Sequence, residues 1–443
     1  MTGVSIDTRT LAVGEAYFAI QGHRLDGHAF VADAAARGAG CLVVHALPDD
    51  LPAGVPLVMV EDTTKALGRL AAWHRARFDI PVVGITGSNG KTTTKEMVAA
   101  VLAARFRTHR PRSSFNNQWG LPLTLFALNA EHEAAVVEIG TNQPGEIAYL
   151  AGIARPTIAV VTTVAAVHVE FFHTLDGVRD EKAAIVRAVG SEGYAILNAD
   201  DPRVASMARE TSATVILYGR AASARVRAVG EIEDDERGLR FTVEVDGLRE
   251  PVALAFSGRH NVGNALAAVA VGVALRMPLD QIARALGTAR PVAGRCIWKS
   301  AGGVRILDDA YNANPVSVAA ALDTVAAHRG ASRVVVVLGD MLELGDITDE
   351  AHREAGRAVA ALRPAHFLGV GRHAALAVEA ARAAGVADAH HVVTFEDTMA
   401  ELLKCVVTGD LVLVKGSRGM RMERVVDALV ARLQRSEPGI GQE

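Results

Sequence analysis

The sequence predicts an α/β protein of three successive units, each a sheet covered by helices. Three observations predict it. Short, continuous apolar runs alternate with stretches of helical periodicity, the pattern of strands buried on both faces of a parallel sheet. One such run, residues 82–86, leads through the turn Gly87-Ser88-Asn89-Gly90 into a helix with Met97, Val98, Val101 and Leu102 on one face. A chain of 443 residues also exceeds what one core serves, and about two to four domains are expected.

Bulk properties narrow the function classes. Half of the residues are hydrophobic and 22% are charged, which marks a globular protein. A formal net charge of −4 supplies no basic field for nucleic acid or a membrane surface. Cys41, Cys296 and Cys405 lie far apart, without the spacing of a disulfide framework or a zinc knuckle, so a reducing cytoplasm is expected. The first residues show no basic region followed by an apolar run, and no signal peptide is expected. The longest apolar run, residues 265–275, is too short for a bilayer and reads as a buried helix.

The first unit covers residues 1–78, with strands expected at 16–20, 41–45 and 57–60 and helices at 27–37 and 63–77. Pro48, Pro52 and Pro56 punctuate a loop. Ser5, Asp7, Thr8 and Arg9 cluster before the first clear strand. They read either as a capped turn, since such side chains bond to nearby backbone, or as a ligand-facing loop. Little chain precedes them, so either the sheet lacks an edge strand or its start is misassigned.

The second unit covers residues 79–292. Its loop can wrap a phosphate: glycines let backbone N–H groups turn inward, the helix start adds its positive end, and Lys91 neutralises charge. Thr92 can place a hydroxyl on Mg²⁺. The usual phosphate-loop spacing would put glycine at Ile85, whereas glycines stand at 84 and 87. Further strands are expected at 134–139 and 156–164. Ligands of parallel sheets bind beyond the carboxyl ends of strands, which groups Lys91 and Thr92 with Glu138 and His168. A carboxylate and an imidazole there can hold a divalent metal. Singly, Glu138 reads equally as a cap or surface carboxylate, and His168 as a packed histidine. Antiparallel strands are expected around 214–218, 224–229 and 239–245, then a helix opening at Gly258. Asn261 and Asn264 share a face of it and can read an adenine edge, or Asn261 can cap the helix.

The third unit, residues 293–443, has strands expected at 304–307, 334–338, 366–370, 392–395 and 411–414 with helices between them, a dinucleotide-type doubly wound pattern. Gly369-Val370-Gly371-Arg372-His373-Ala374 approximates a dinucleotide fingerprint. It lacks an acid at the right distance, so nicotinamide chemistry is disfavoured.

Several segments together resemble the Mur ligases, ATP-dependent amide-forming enzymes of peptidoglycan synthesis. They are the loop from Gly84 to Thr93, the asparagine-pair segment from Ser114 to Thr124, Glu138-Ile139-Gly140-Thr141-Asn142, His168-Val169-Glu170, Glu181-Lys182, Gly258 to Asn264 and Gly294-Arg295. Three more favour the member that joins D-alanyl-D-alanine to UDP-N-acetylmuramoyl-tripeptide over a sister ligase using another amine. These are Asp308-Asp309-Ala310-Tyr311-Asn312-Ala313-Asn314-Pro315, Leu338-Gly339-Asp340-Met341-Leu342-Glu343-Leu344-Gly345 and Val414-Lys415-Gly416-Ser417-Arg418. The resemblance implies an N-terminal UDP-sugar domain, a central ATPase-like domain and a C-terminal Rossmann-like domain, working on ATP and Mg²⁺ as a monomer.

By the same resemblance, Gly87, Ser88, Asn89, Gly90, Lys91, Thr92 and Thr93 hold the ATP phosphates. Thr92, Glu138, His168 and a carbamylated Lys182 serve Mg²⁺; without the resemblance Lys182 reads as a solvated helix lysine. Asn261 and Asn264 approach the adenine, Arg295 the γ-phosphate, and Asp309, or else Asp308, the ribose. Ser5, Asp7, Thr8 and Arg9, with Asn116 and Asn117, face the nucleotide-sugar substrate. Asn312, Lys415, Ser417 and Arg418 face the dipeptide, whose carboxylate needs a cation from Lys415 or Arg418. Gln118-Trp119, where small or aliphatic residues are more frequent, and a bulky Phe in Val167-His168-Val169-Glu170-Phe171-Phe172, where glycine is common, depart from the family pattern. Three units around one substrate also predict a hinge, with the third closing over ATP.

Overall fold

The computed structural model describes residues 2–22, 25–47, 54–111, 114–167 and 169–435. Within them the chain forms sheets of four, nine and six strands.

The first sheet is parallel and runs in chain order: Val4–Ser5, Ala16–Phe18, Cys41–Val44 and Leu57–Met59. Val4 and Ser5 pair with Ala16 and Tyr17, so a short edge strand is present. Tyr17, Leu42 and Val44 pack with Val31 and Ala34 on one face. Phe18 and Val43 meet Leu67 of the helix Thr63–Arg75 on the other, joined by Trp119 from the next unit. The Trp119 indole N–H donates to Thr64 Oγ1 (3.1 Å), so this departure from the family pattern ties two units together.

The nine-stranded sheet places the loop-bearing strand Val82–Thr86 between Ala134–Glu138 and Ile158–Val161. Strands that follow it in the chain lie on both its sides, which makes its carboxyl end a topological switch point where a ligand crevice opens. Thr214–Gly219 differs from expectation: it is parallel to Tyr194–Asn198 and to the start of Val226–Asp235. Ile216 and Tyr218 are buried and extend the parallel core. Antiparallel pairing begins only beyond it, between Val226–Asp235, Gly238–Val245 and Leu248–Leu254. The last of these strands went unread, although the Asp246-Gly247 turn, with φ of 51° and 85°, is a hairpin signal.

The six-stranded sheet orders Ile297–Ala301, Val304–Asp309, Leu411–Lys415, Val334–Gly339, His366–Val370 and Ala389–Val392. All but the first are parallel. The last strand ends at Val392, earlier than the expected 392–395. Thr394 accepts from Asp397 N and starts the helix Phe395–Cys405 there. The helices Thr348–Ala361 and Ala374–Ala383 pack so closely that a methyl at Gly356 would sit 2.1 Å from the carbonyl oxygen of Ala377. Gly356→Ala gains about 1 kcal/mol of helix propensity. The backbone clash is nevertheless expected to leave the third unit less stable by about 1–3 kcal/mol, read as a lower urea midpoint.

Candidate active site

The strand Val82–Thr86 is wholly buried, so its end is rigid and the turn after it is well anchored. Gly84 belongs to the strand, where a side chain would press on Ile185 and Pro156 at 3.1 Å. Turning is done by Gly87 (φ 148°) and Gly90 (φ 82°). A Cβ at Gly87 would lie 1.8 Å from Thr162 Oγ1. The glycine displaced from the common spacing is therefore a packing residue. The loop is pinned to the end of Ile158–Val161: Ser88 N donates to Thr163 O (2.8 Å), Asn89 N to Thr163 Oγ1 (3.1 Å), and Ala165 N to Ser88 Oγ (2.8 Å). Lys91 Nζ folds back onto Gly87 O (2.7 Å). Burial, and the charge of Arg295, push the Lys91 ammonium below its ordinary pKa, while Glu138 opposes them. Lys91, Thr92 and Thr93 form the first turn of the helix Lys91–Ala103, whose leading N–H groups lack helical acceptors.

Thr92 Oγ1 donates to Glu138 Oε2 (2.9 Å) and lies 3.2 Å from Ser114 Oγ. Asn116 Nδ2 holds the other Glu138 oxygen at 2.7 Å. Glu138 is buried. This hydroxyl–carboxylate pair beside a phosphate loop fits Mg²⁺, which needs few protein oxygens when phosphates and waters complete its shell. Among the described residues no three His, Cys, Asp or Glu side chains cluster as a metal site. His168 lies outside the described residues.

Lys182, on the helix Leu175–Arg187, is only 2% exposed, which overturns the solvated-lysine reading. Burial, and after it the charge of Lys91, hold its pKa down at about 7 against the opposing charge of Glu181. Glu181 itself receives Gly145 N and Ile147 N, both at 2.7 Å.

Arg295 comes from the third unit. Its Cζ lies 4.1 Å from the Tyr311 ring centre, and its buried Nε has no hydrogen-bond partner among the described residues. Arg418 approaches the same ring at 5.2 Å and donates to Glu423 Oε1 (3.0 Å). Lys415 is buried and committed: its ammonium binds Asp309 Oδ2 and Asn312 O. Asp309 Oδ1 accepts from Cys296 N (3.1 Å), so both carboxylate oxygens have partners within the protein. Asp308 pairs with Lys299 at 3.0 Å. Of the two cations weighed for the dipeptide carboxylate, Arg418 is the exposed one. Asn312 and Ser417 staple the neighbouring loops, through Arg418 N to Asn312 Oδ1 (3.3 Å) and Ser417 Oγ to Ala313 O (3.2 Å).

Asn261 and Asn264 are buried at the back of the phosphate loop. Asn261 Nδ2 donates to Ser257 O (2.7 Å), Asn264 Nδ2 to Asn261 Oδ1 (2.8 Å), and Thr94 Oγ1 to Asn264 Oδ1 (3.1 Å). Neither amide caps the helix His260–Ala274, which has no side-chain cap. Asn117 Oδ1 accepts Trp119 N and Gly120 N and starts the next helix. In the first unit Ser5 Oγ bonds within its own turn, and Thr8 is buried. Arg9 forks onto Asp7 (2.9 and 2.6 Å), holding that carboxyl below its usual range. The capped turn and an exposed arginine are thus both present.

The glycines at 369 and 371 are no dinucleotide seat. Asp340 fills the turn: its Oδ1 accepts Ala374 N (2.7 Å) at the helix start where a pyrophosphate would bind. Sequence reasoning passed over Tyr311 as an arginine platform and Ser114 beside Thr92. It also missed Asn314, whose Asn-Pro step is a helix-start signal.

A glycine loop at a switch point, a threonine–carboxylate pair that fits Mg²⁺ and an arginine from a separate doubly wound unit are the features of a phosphoryl-transfer enzyme. More narrowly, the chain belongs to the Mur ligase family. Residues 1–75 match the family's catalytic domain, 85–272 its middle domain and 294–418 its glutamate ligase domain. The UDP-N-acetylmuramoyl-tripeptide–D-alanyl-D-alanine ligase of Escherichia coli is 36% identical over 97% of this chain and 94% of its own length. A crystal structure of MurF from Acinetobacter baumannii, 32% identical, superposes with a TM-score of 0.89 over 97% of this chain and 93% of that one. MurF of Thermotoga maritima in complex with ADP, 26% identical, gives 0.85 over 98% of both.

Proposed function

We propose that this chain joins D-alanyl-D-alanine to UDP-N-acetylmuramoyl-tripeptide with ATP, forming ADP and phosphate, as a cytoplasmic monomer in peptidoglycan precursor synthesis. The observation that carries the reading is the meeting of Lys91, the Thr92–Glu138 pair and Arg295 from the third unit. Relatives of that name, about a third identical along nearly the whole chain, support the choice of substrates. Among the described residues no helix is long and apolar enough to cross a membrane.

A peptide carboxylate is a poor electrophile. Transfer of the γ-phosphoryl group to it gives an acyl phosphate; the dipeptide amine then attacks the carbonyl carbon, and phosphate leaves with the C–O bond electrons. Lys91, Arg295 and the loop N–H groups hold and neutralise the phosphates, which is most of what such a transfer requires. Bound Mg²⁺ supplies further charge neutralisation, with Thr92 and Glu138 as its holders and His168 and a carbamylated Lys182 contributing a second position. Arg418 receives the dipeptide carboxylate. Ser5, Asp7, Thr8 and Arg9, with Asn116 and Asn117, meet the nucleotide-sugar substrate.

The test is incubation with ATP, Mg²⁺, the tripeptide substrate and D-alanyl-D-alanine, following phosphate and the pentapeptide product. Phosphate release indifferent to the dipeptide would sink the reading. A panel of amines in the same assay separates a sister ligase.

A further inference from the structure

The third unit is docked on the central one at both ends of a single helix, Pro315–His328. At its C-terminal end His328 Nε2 meets Asp234 Oδ1 at 2.8 Å, with both side chains buried. Asp234 belongs to the central unit, and its other oxygen accepts Gly258 N (3.0 Å). At the N-terminal end, Asn314 meets Asn89 of the phosphate loop. Asn314 Nδ2 donates to Asn89 Oδ1 (2.7 Å), and Asn89 Nδ2 to Asn314 Oδ1 (3.3 Å).

Chemistry fixes the orientation of this pair. Ser317 N can only donate, and it donates to Asn314 Oδ1 (3.0 Å) as the helix cap. The Asn314 NH₂ is therefore turned to Asn89. The backbone of Asn89 is held by its own unit, through Thr163 Oγ1 on its N–H and Thr162 Oγ1 on its carbonyl. Its side chain is held by the other unit. One loop residue is thus gripped from two bodies, and its peptide lies among those that wrap the phosphates.

We propose that Asn314 is a positioning residue for the phosphate loop: through Asn89 it makes the loop's nucleotide-binding geometry depend on docking of the third unit. The helix Pro315–His328, about 21 Å long at 1.5 Å per residue, acts as a strut braced at its far end by His328 and Asp234. The inference rests on the reading that this loop binds ATP.

The experiment is a double-mutant cycle on the full chain, measuring binding of a non-hydrolysable ATP analogue with Mg²⁺ by calorimetry. Asn314→Ser keeps a side-chain oxygen for the helix cap and removes the amide; Asn89→Ala removes its partner. Each single variant is expected to bind about tenfold more weakly, with an unchanged melting temperature for Asn314→Ser. The double variant is expected to bind no more than about twofold more weakly than either single. Binding by Asn314→Ser equal to that of the native chain overturns the proposal, as do losses that multiply in the double variant. Absence of binding by the native chain overturns the nucleotide reading and the coupling together; the other outcomes leave the nucleotide reading standing.

Discussion

Lys91→Met is expected to lower dipeptide-dependent phosphate release by two to three orders of magnitude, about 3–4 kcal/mol of transition-state stabilisation. Methionine keeps most of the length and apolar volume of the side chain and removes only the charge. The native ammonium is held at the loop by Gly87 O, where it can follow the phosphate charge as transfer proceeds. Burial already disfavours that ammonium, so removing it relieves a desolvation cost. The melting temperature of the variant in the absence of ATP should therefore match or exceed that of the native chain. Loss of rate together with loss of stability would point instead to a structural role.

Lys182→Met is expected to cost about a thousandfold in rate if the side chain works as a carbamate, with a distinct dependence on pH and CO₂. Above pH about 7 the buried amine is neutral. Its lone pair can then attack CO₂: the N–C bond forms, one C=O π pair moves onto oxygen, an N–H proton is released, and the neutral amine becomes an anion. Lys91 reverses its effect in the exchange: its charge repels the ammonium and attracts the carbamate. Native protein freed of CO₂ at pH 8 should lose most activity and recover it with bicarbonate, and ¹³C-bicarbonate should give a carbamate resonance absent from Lys182→Met.

Stability supplies a second readout for the same residue in CO₂-free buffer. Between about pH 7 and the unfolded value near 10.5 the unfolded chain binds more protons at this site than the folded one. Stability gained from this group therefore rises with pH across that window, and the full penalty applies below pH 7. Relative to the native chain, Lys182→Met should melt higher at pH 6 than at pH 9.5. An equal difference at both values would show that the lysine is not buried as an amine.

Much of the site was legible because its physics is local. A strand, two glycines with positive φ, a lysine and a threonine at the start of a helix form a phosphate loop from neighbouring residues. Only the displaced Gly84 needed the structure, since its reason is contact with Ile185 and Pro156. The hairpin strand Leu248–Leu254 was legible too, in Asp246-Gly247, and was missed beneath a search for apolar runs.

Other features depend on segments far apart in the chain. Lys415 resembles any phosphate- or carboxylate-binding lysine until folding sets it against Asp309 and Asn312. The glycines at 369 and 371 look like a nucleotide turn until Asp340 fills it. Burial of Lys182, and with it the chemistry of its amine, is set by the packing around its helix, which helical periodicity does not report.

By itself the sequence determined the three-unit α/β plan, the position of the phosphate loop and the family of the chain, because glycine conformations, apolar periodicity and motif spacing are short-range properties. Tertiary structure alone decided which polar groups are spent on one another: Lys415 on Asp309, and Asn89 held by Asn314. Those outcomes turn on desolvation and on hydrogen bonds between residues a hundred or more positions apart, and both come into being only when the units pack.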